Sequence, residues 1–211
     1  MIKTIALVIF ILFNLPGLAQ YTGYTLSNHP EIFRKSFAEA TASIESIQSG
    51  FSQEKTLTML SEKMNSTGKF WYRKKDKLRM EYIQPYPYLM ILSSGKIFVK
   101  DGQKENQFSA NSSKIFQEVN RILIDCVSGN MLNNPDFQAR IFENAGSFLI
   151  EFQPVAKNLK ELYKNINIVI DKKDYTATVV EMIEVSGDKT IIRFQNKVLN
   201  APIPDSVFNI P

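Results

Sequence analysis

Two short stretches of the sequence decide the fold: residues 68–73 read GKFWYR, and residues 78–82 read LRMEY. Within each stretch, alternate positions form two sets, so that Phe70 and Tyr72 point to one side of the chain while Arg73 points to the other. A period of two residues is typical of a β-strand that has one face on the core and one face towards solvent. The pattern therefore predicts two half-buried antiparallel strands.

The same kind of segment recurs on both sides of these two stretches. Short apolar segments follow, and turn residues such as Ser94-Gly95 and Asp101-Gly102 separate them. Further strands are predicted at residues 89–92, 97–99, 137–142, 148–152, 166–170, 176–185 and 190–198. About ten strands without a βαβ rhythm predict a mainly β fold of the α+β class, with one large antiparallel sheet that curls and leaves a concave apolar face.

Two segments have helical spacing instead. Apolar residues recur every three or four positions after Pro30, and again within residues 112–127. The apolar stripe of the second segment consists of Ile115, Phe116, Val119, Ile122 and Leu123. Because this segment interrupts the run of strands, the nearest apolar surface for its stripe is the concave face of the sheet. We therefore predict that helices cover that face.

The first nineteen residues have the features of an export signal. Lys3 supplies a positive charge, residues 5–15 are apolar, and residues 17–19 read GLA, which provides the small residues that signal peptidase requires. The apolar core is too short to span the roughly 30 Å of hydrocarbon in a bilayer. The sequence predicts a cleaved signal peptide at residues 1–19 and one mature domain at residues 20–211.

The rarest residue types argue against catalysis. His29 is the only histidine and Cys126 the only cysteine, so a Ser-His-Asp triad or a zinc site would depend on single residues. Glycine-rich phosphate loops are absent. We predict that the protein is not an enzyme, that it binds no metal or cofactor, and that it contains no internal disulfide.

Several stretches, taken in order, carry a resemblance to a known family. They are GFSQ at residues 50–53, STGKFWYR at 66–73, LRMEY at 78–82 with Pro85 after it, the Ser94-Gly95 turn, and PDSVFNIP at 204–211. This series resembles the LolA family of periplasmic lipoprotein carriers, over most of residues 30–211. No single stretch is specific, but their order and spacing are.

The resemblance implies an unclosed β-barrel whose concave face binds the acyl chains of a lipoprotein under a lid made of helices. The lid is expected at residues 112–127. Seven Met and fifteen Phe suit a lining that must adapt to its cargo. Composition alone does not separate such a lining from an ordinary core. The expected ligand-binding residues are Phe51, Phe70, Tyr72, Leu78, Met80, Tyr82, Ile91, Phe98, Phe148 and Ile150.

The sequence departs from the family pattern at the end of the strand at residues 70–73. Some family members have an Arg-Pro pair there, whose Arg binds the lid backbone and ties lid opening to ligand uptake. This chain reads Arg73-Lys74-Lys75 and has no Pro. Either Arg73 or Lys74 is expected to couple to the lid, and a solvated hairpin tip is the alternative. The basic cluster here also suits contact with anionic lipid headgroups.

The resemblance also implies partners. They are the acyl chains of lipoproteins, an inner-membrane ABC transporter that releases lipoproteins, and an outer-membrane acceptor, with the protein monomeric in the periplasm. Nucleic acid is not an expected partner, because the formal charge is only +4 and falls to +3 without Lys3. The alternative function is an envelope sensor that binds lipids or lipoproteins on the same half-barrel.

Overall fold

The fold is one large antiparallel sheet with short helices beside it. The computed structural model describes residues 21–75, 77–109 and 129–211, together with Ile122 and Asp125. The strands in this part of the chain are β1 (Thr25–Leu26), β2 (Ser46–Leu57), β3 (Glu62–Arg73), β4 (Lys77–Gln84), β5 (Tyr88–Ser93), β6 (Lys96–Asp101), β7 (Lys104–Ser109), β8 (Phe137–Glu143), β9 (Ser147–Pro154), β10 (Tyr163–Asp171), β11 (Ala177–Glu184) and β12 (Lys189–Leu199). The helices are α1 (Pro30–Ala42) and the single turn α2 (Lys157–Lys160), with 3₁₀ turns at Thr58–Leu60, Asn130–Asn133 and Asp205–Phe208.

The order of the twelve strands is β1-β8-β9-β10-β11-β12-β2-β3-β4-β5-β6-β7. Every neighbouring pair is antiparallel, and β1 and β7 form the two ends of the sheet without pairing to each other. The predicted mainly β, unclosed barrel is therefore confirmed. The count exceeds the ten strands expected, and β1, which has only two residues, is too short to show an alternating pattern in the sequence.

Gly68 explains why the GKFWYR stretch begins with a glycine. It pairs with Phe51 on β2 and with Tyr82 on β4. A Cβ atom on Gly68 would lie 2.2 Å from the carbonyl oxygen of Glu81 and 2.6 Å from the ring of Phe51. The missing side chain lets the Phe51 ring cover the backbone of β3, where it meets the Tyr82 ring edge-on at 4.9 Å.

The convex face of β8 to β11 carries a polar network beside the buried apolar residues Phe142 and Leu149. Arg140 donates to Oε1 of Glu151 from Nε at 2.9 Å and from Nη2 at 2.5 Å. Asn167 donates to Oε2 of Glu181 at 2.7 Å, and the hydroxyl of Tyr21 donates to Glu151 and to Asn167. Glu151 and Asn167 are almost fully buried, yet their polar atoms have partners. Most of the buried apolar side chains of these strands therefore lie on the concave side.

The C-terminal segment covers the convex face elsewhere. The 3₁₀ turn Asp205–Phe208 packs against β4 and β5, and Ile203 and Phe208 are buried. Arg79 on β4 donates to the carbonyl oxygen of Val207 at 3.3 Å. The C-terminal segment thus covers the convex face at β4 and β5, and β5 has buried apolar residues on both of its faces. Among the described helices, none is long and apolar enough to cross a membrane.

Candidate lipid-binding face

The concave face carries one continuous apolar cluster. Eight of the ten residues expected to bind ligand meet there: Phe51, Phe70, Tyr72, Leu78, Met80, Phe148 and Ile150 are buried within the cluster, and Tyr82 packs against it half-buried. They come from the consecutive strands β2, β3 and β4 and from β9, which is distant from them in sequence. The alternation in each strand sends them all to the same side of the sheet.

Ile91 and Phe98 lie elsewhere. They are paired with each other across β5 and β6, and Ile91 is also paired with Arg79 of β4. Because directly paired residues share a face, both point to the convex side with Arg79, away from Met80. Both are buried, but neither belongs to the concave cluster. The structure therefore does not bring these two residues together with the other eight.

Aromatic rings and methionines that sequence reasoning missed complete the concave face. Phe194 of β12 meets Phe70 edge-on at 5.1 Å, and Tyr88 of β5 meets Tyr82 at 5.5 Å. Buried Met90 and Met182 extend the same cluster. The alternation of β12 and β11 contains this signal, since Ile192 and Phe194 are buried while Arg193 and Gln195 are exposed.

One polar group lies deep in the apolar face. The hydroxyl of Tyr82 donates to Oε1 of Gln53 at 2.8 Å, so the group is satisfied although most of its ring is covered. Burial raises the pKa of Tyr82, and the neighbouring Tyr88 raises it further. The phenol therefore stays neutral, and the face carries no charge at this point.

Helix α1 covers one end of the concave face through two aromatic side chains. Phe33 and Phe37 are the buried residues of this thirteen-residue helix. The ring of Phe33 lies 4.4 Å from the ring of Phe148 on β9 and 5.3 Å from that of Phe37. Pro30 in the first turn and the apolar spacing of the sequence account for the helix and for its buried side.

The predicted lid falls largely outside the described residues. Ile115, Phe116, Val119 and Leu123 are among those not described, and the structure gives no account of them. Ile122 is described: its backbone is helical, and its side chain is 1% exposed within the concave cluster. One residue of the predicted stripe therefore lies on the predicted face.

The two candidates for lid coupling have different partners. Arg73 donates to the carbonyl oxygen of Ile203 at 2.9 Å, binds Asp205, and lies 5.1 Å above the ring of Phe208. These contacts tie Arg73 to the C-terminal segment on the convex side. Lys74 instead donates from Nζ to the carbonyl oxygen of Ala42 at 2.7 Å, at the C-terminal end of α1. Lys74 is thus the candidate that contacts a covering helix.

A cavity of about 340 Å³ lies beside Lys74. It is bounded by the second half of α1, the β3–β4 hairpin and the 3₁₀ turn Asn130–Asn133. Its lining is mixed: Phe37, Ile44 and Tyr72 are apolar or aromatic members of the concave cluster, whereas other lining residues are polar or basic. In the part of the chain that the structure covers, no three His, Cys, Asp or Glu side chains are grouped as a metal site requires.

Comparisons with known proteins agree with this architecture. A LolA superfamily protein from Nitrosomonas europaea is 9% identical, with a TM-score of 0.46 over 84% of this chain and 97% of that chain. The Pseudomonas aeruginosa MucA/MucB complex contains a chain that is 13% identical, with a TM-score of 0.51 over 83% of this chain and 58% of that one. An uncharacterized conserved protein from Thermus thermophilus is 6% identical, with a TM-score of 0.52 over 86% and 94%.

The two likenesses with TM-scores above 0.5 show the fold alone. A sequence comparison with curated proteins finds no match. The model of the family described as outer membrane lipoprotein carrier protein LolA, in contrast, matches residues 42–211. That match includes β2 to β12, the strands that build the concave face. The chain therefore belongs to the LolA family.

Proposed function

We propose that this chain is a periplasmic carrier that binds the acyl chains of lipoproteins on its concave face and moves lipoproteins from the inner to the outer membrane. One observation carries the proposal: a continuous apolar face of aromatic and methionine side chains is covered by a helix whose buried side chains are Phe33 and Phe37. Such a face can be exposed to a ligand without breaking the sheet.

The chemistry of the cargo requires such a face. Keeping one CH₂ group of an acyl chain out of water is worth about 0.8 kcal/mol, so several long chains make passage through an aqueous compartment prohibitive without a carrier. A carrier must also release its cargo, which favours covering elements that are weakly attached and lining side chains that adapt. Met80, Met90 and Met182 supply flexible, polarizable lining at three positions of the cluster.

The covering elements would move when cargo enters. The concave cluster is closely packed in this structure, with Ile122 and Phe33 both buried in it. Acyl chains would therefore displace these side chains and take their place. In this proposal the segment at residues 112–127 and helix α1 act together as the lid, and Lys74 links α1 to the β3–β4 hairpin.

The remaining parts of the proposal concern export and partners. Residues 1–19 would act as a cleaved signal peptide that directs the chain to the periplasm. The protein would receive lipoproteins as a monomer from an inner-membrane ABC transporter and deliver them to an outer-membrane acceptor. It would act by binding alone, without catalysis, metal or cofactor.

The second candidate is an envelope sensor that binds lipids or lipoproteins on the same fold. The likeness to a chain of the MucA/MucB complex supports this candidate, since there the fold occurs in an assembly with a second protein. This chain spans only 58% of that chain, however. The two candidates differ in the step after binding: a carrier removes a lipoprotein from a membrane and hands it on, whereas a sensor does not.

Two measurements test the proposal. First, bis-ANS bound to the purified protein should be displaced by a synthetic triacylated lipopeptide but not by the same peptide without acyl chains. Second, the protein added to spheroplasts should release a labelled lipoprotein into the supernatant and then transfer it to outer-membrane vesicles. Displacement without release would favour the sensor, and no displacement would overturn lipid binding on this face.

A further inference from the structure

The cavity beside the C-terminal half of α1 has the size of a ligand pocket. Its volume of about 340 Å³ falls within the range of roughly 300–1,000 Å³ that small-molecule sites occupy. Its shape depends on a close approach of two segments. Gly129 has a φ of +80°, and a Cβ atom there would lie 2.8 Å from the side chain of Thr41 on α1.

The charged residues that the structure describes in the lining of this cavity are all basic. They are Arg34, Lys74 and Lys75, and no Asp or Glu is among the described lining residues. Lys74 is compensated by Glu45, whose Oε1 lies 2.8 Å from its Nζ. Within the described residues, Arg34 and Lys75 form no ion pair with a carboxylate. The described part of the lining therefore offers two positive charges, those of Arg34 and Lys75, to an anion.

The lining also offers suitable hydrogen-bond donors. Arg34 uses one N–H on the carbonyl oxygen of Leu132, at 3.4 Å, and keeps its other donors for a ligand. Asn130 and Asn133 add exposed carboxamide groups at the same rim. The planar fork of an Arg beside a Lys ammonium and amide donors matches the several oxygens of a phosphate group.

The floor of the cavity is apolar and continuous with the concave face. Phe37, Ile44 and Tyr72 line the cavity and also belong to the concave cluster. A molecule bound here can therefore hold a charged group at the rim while its hydrocarbon part passes onto the face proposed for acyl chains. We infer that this cavity binds the phosphate-bearing, anionic headgroup of a lipid, an inference that rests on the proposed acyl-chain face and adds a class of lipid to the ligands proposed for it.

Short-chain lipids test the inference, because they remain soluble without forming a bilayer. Dihexanoyl phosphatidylglycerol should bind the purified protein at least tenfold more tightly than dihexanoylglycerol, which has the same chains and no phosphate, as measured by titration calorimetry in about 0.15 M salt. Glycerol 3-phosphate, which has the phosphate and no chains, should bind at least tenfold more weakly than the phospholipid. The headgroup and the chains would then both contribute.

A double variant tests whether the preference for the phosphate-bearing lipid depends on the basic residues of the cavity. Arg34→Gln with Lys75→Gln should bring the two lipids to within about twofold of each other, since charge-assisted hydrogen bonds account for the difference. The matched control is Arg193→Gln with Lys96→Gln, which removes the same two charges from exposed positions on β12 and β6. The control should keep the tenfold preference, because its cavity is intact. If the control lost the preference as well, general attraction between the protein and an anion would be the cause.

The outcomes separate this inference from the proposed function. Equal binding of the two lipids, or a preference that survives in the cavity variant, would overturn the headgroup site. Glycerol 3-phosphate binding as tightly as the phospholipid would also overturn it, in favour of a soluble phosphate ester. In any of these cases, the proposed carrier function stands if the uncharged triacylated lipopeptide binds all variants equally. Failure of the lipopeptide to bind would overturn the carrier function instead.

Discussion

The ring of Phe33 on α1 lies 4.4 Å from the ring of Phe148 on β9, and this contact joins the covering helix to the concave face. Both rings also lie near Tyr175, at 6.4 Å and 6.1 Å. The rest of α1 is half-buried or exposed, apart from Phe37. The apolar attachment of the helix is therefore a small aromatic contact, beside the hydrogen bonds to Leu132 and from Lys74, and detachment of the helix would expose the cluster beneath it without disturbing the strand pairing.

Replacing Phe33 by Ala should weaken this cover. The free energy of unfolding should fall by about 3 kcal/mol, because a large buried ring is removed, and bis-ANS should bind the empty protein more strongly. Binding of the triacylated lipopeptide should be kept or become tighter, since the closed state competes with ligand for the same face. Urea denaturation and dye titration measure the two effects.

The matched control for this variant is Ile32→Ala, because Ile32 is the neighbouring apolar residue of α1 and is 63% exposed. It should change neither stability nor dye binding by a measurable amount. If Phe33→Ala unfolds like the control and leaves dye binding unchanged, the aromatic contact does not hold the helix on the face.

Gly68 and Gly50 offer a second paired test, on the strands that define the family motif. Gly68→Ala should lower the free energy of unfolding by about 3 kcal/mol or more, since its Cβ would meet the carbonyl oxygen of Glu81 at 2.2 Å and the Phe51 ring at 2.6 Å. Gly50→Ala should be close to neutral, because the nearest atoms are 3.8 Å away. Similar stabilities for the two variants would mean that β3 has room for a side chain at Gly68.

The sequence could predict which way a strand faces only where its two faces differ. The alternation in β3 and β4 placed Phe70, Tyr72 and Met80 on the concave side, where the structure also has them. In β5 and β6 the apolar residues are consecutive, so a period of two is absent and the orientation of Ile91 and Phe98 could not be determined. At β5 the reason is that the C-terminal segment covers the second face of the strand.

The sequence of a single strand also does not indicate which side chains of neighbouring strands it contacts. Arg140 and Glu151 are eleven positions apart and belong to adjacent strands, and nothing in either segment indicates that they bind each other. The resemblance suggested Arg73 or Lys74 as the contact with the lid, and nothing near Arg73 in the sequence indicates that it binds the C-terminal segment. Such contacts depend on the register of the sheet, which alternation alone does not fix.

Ionisation of Tyr82 should lower the stability of the folded chain at alkaline pH. Burial raises the pKa of Tyr82 in the folded chain above its ordinary value of 10, so its proton is lost more easily from the unfolded chain. This contribution to stability is therefore complete below pH 10 and declines above it, by up to about 1.4 kcal/mol per pH unit. Urea denaturation between pH 7 and pH 11 should reveal the decline.

The variant Tyr82→Phe should reduce that decline. At pH 7 it should cost about 1 kcal/mol, because the hydrogen bond to Gln53 is lost. Above pH 10 its stability should fall less steeply than that of the wild type, so the two curves converge. The residual slope would come from the other tyrosines with raised pKa values, Tyr21 and Tyr88. Parallel curves for the variant and the wild type would show that Tyr82 is not protected from ionisation in the folded state.

Protonation of Asp205 should weaken the attachment of the C-terminal segment at acidic pH. Hydrogen bonds from Lys77 and Arg73 hold the pKa of this carboxyl at about 2, below its ordinary value of 3.8. Its contribution to stability is therefore complete above pH 4 and is lost as the pH falls towards 2. Asp205→Asn should lack this part of the acid dependence, so that its stability approaches that of the wild type at pH 2. The control Asp101→Asn, at an exposed position of β6, should leave the dependence unchanged.

Amide hydrogen exchange at residues 203–208 gives the local readout, because weaker attachment to Arg73 and Lys77 should free this segment before the sheet opens. Unaltered exchange in Asp205→Asn would mean that the buried Phe208 ring, together with the hydrogen bonds from the side chains of Arg73 and Arg79 to backbone carbonyl oxygens, holds the segment without the carboxylate.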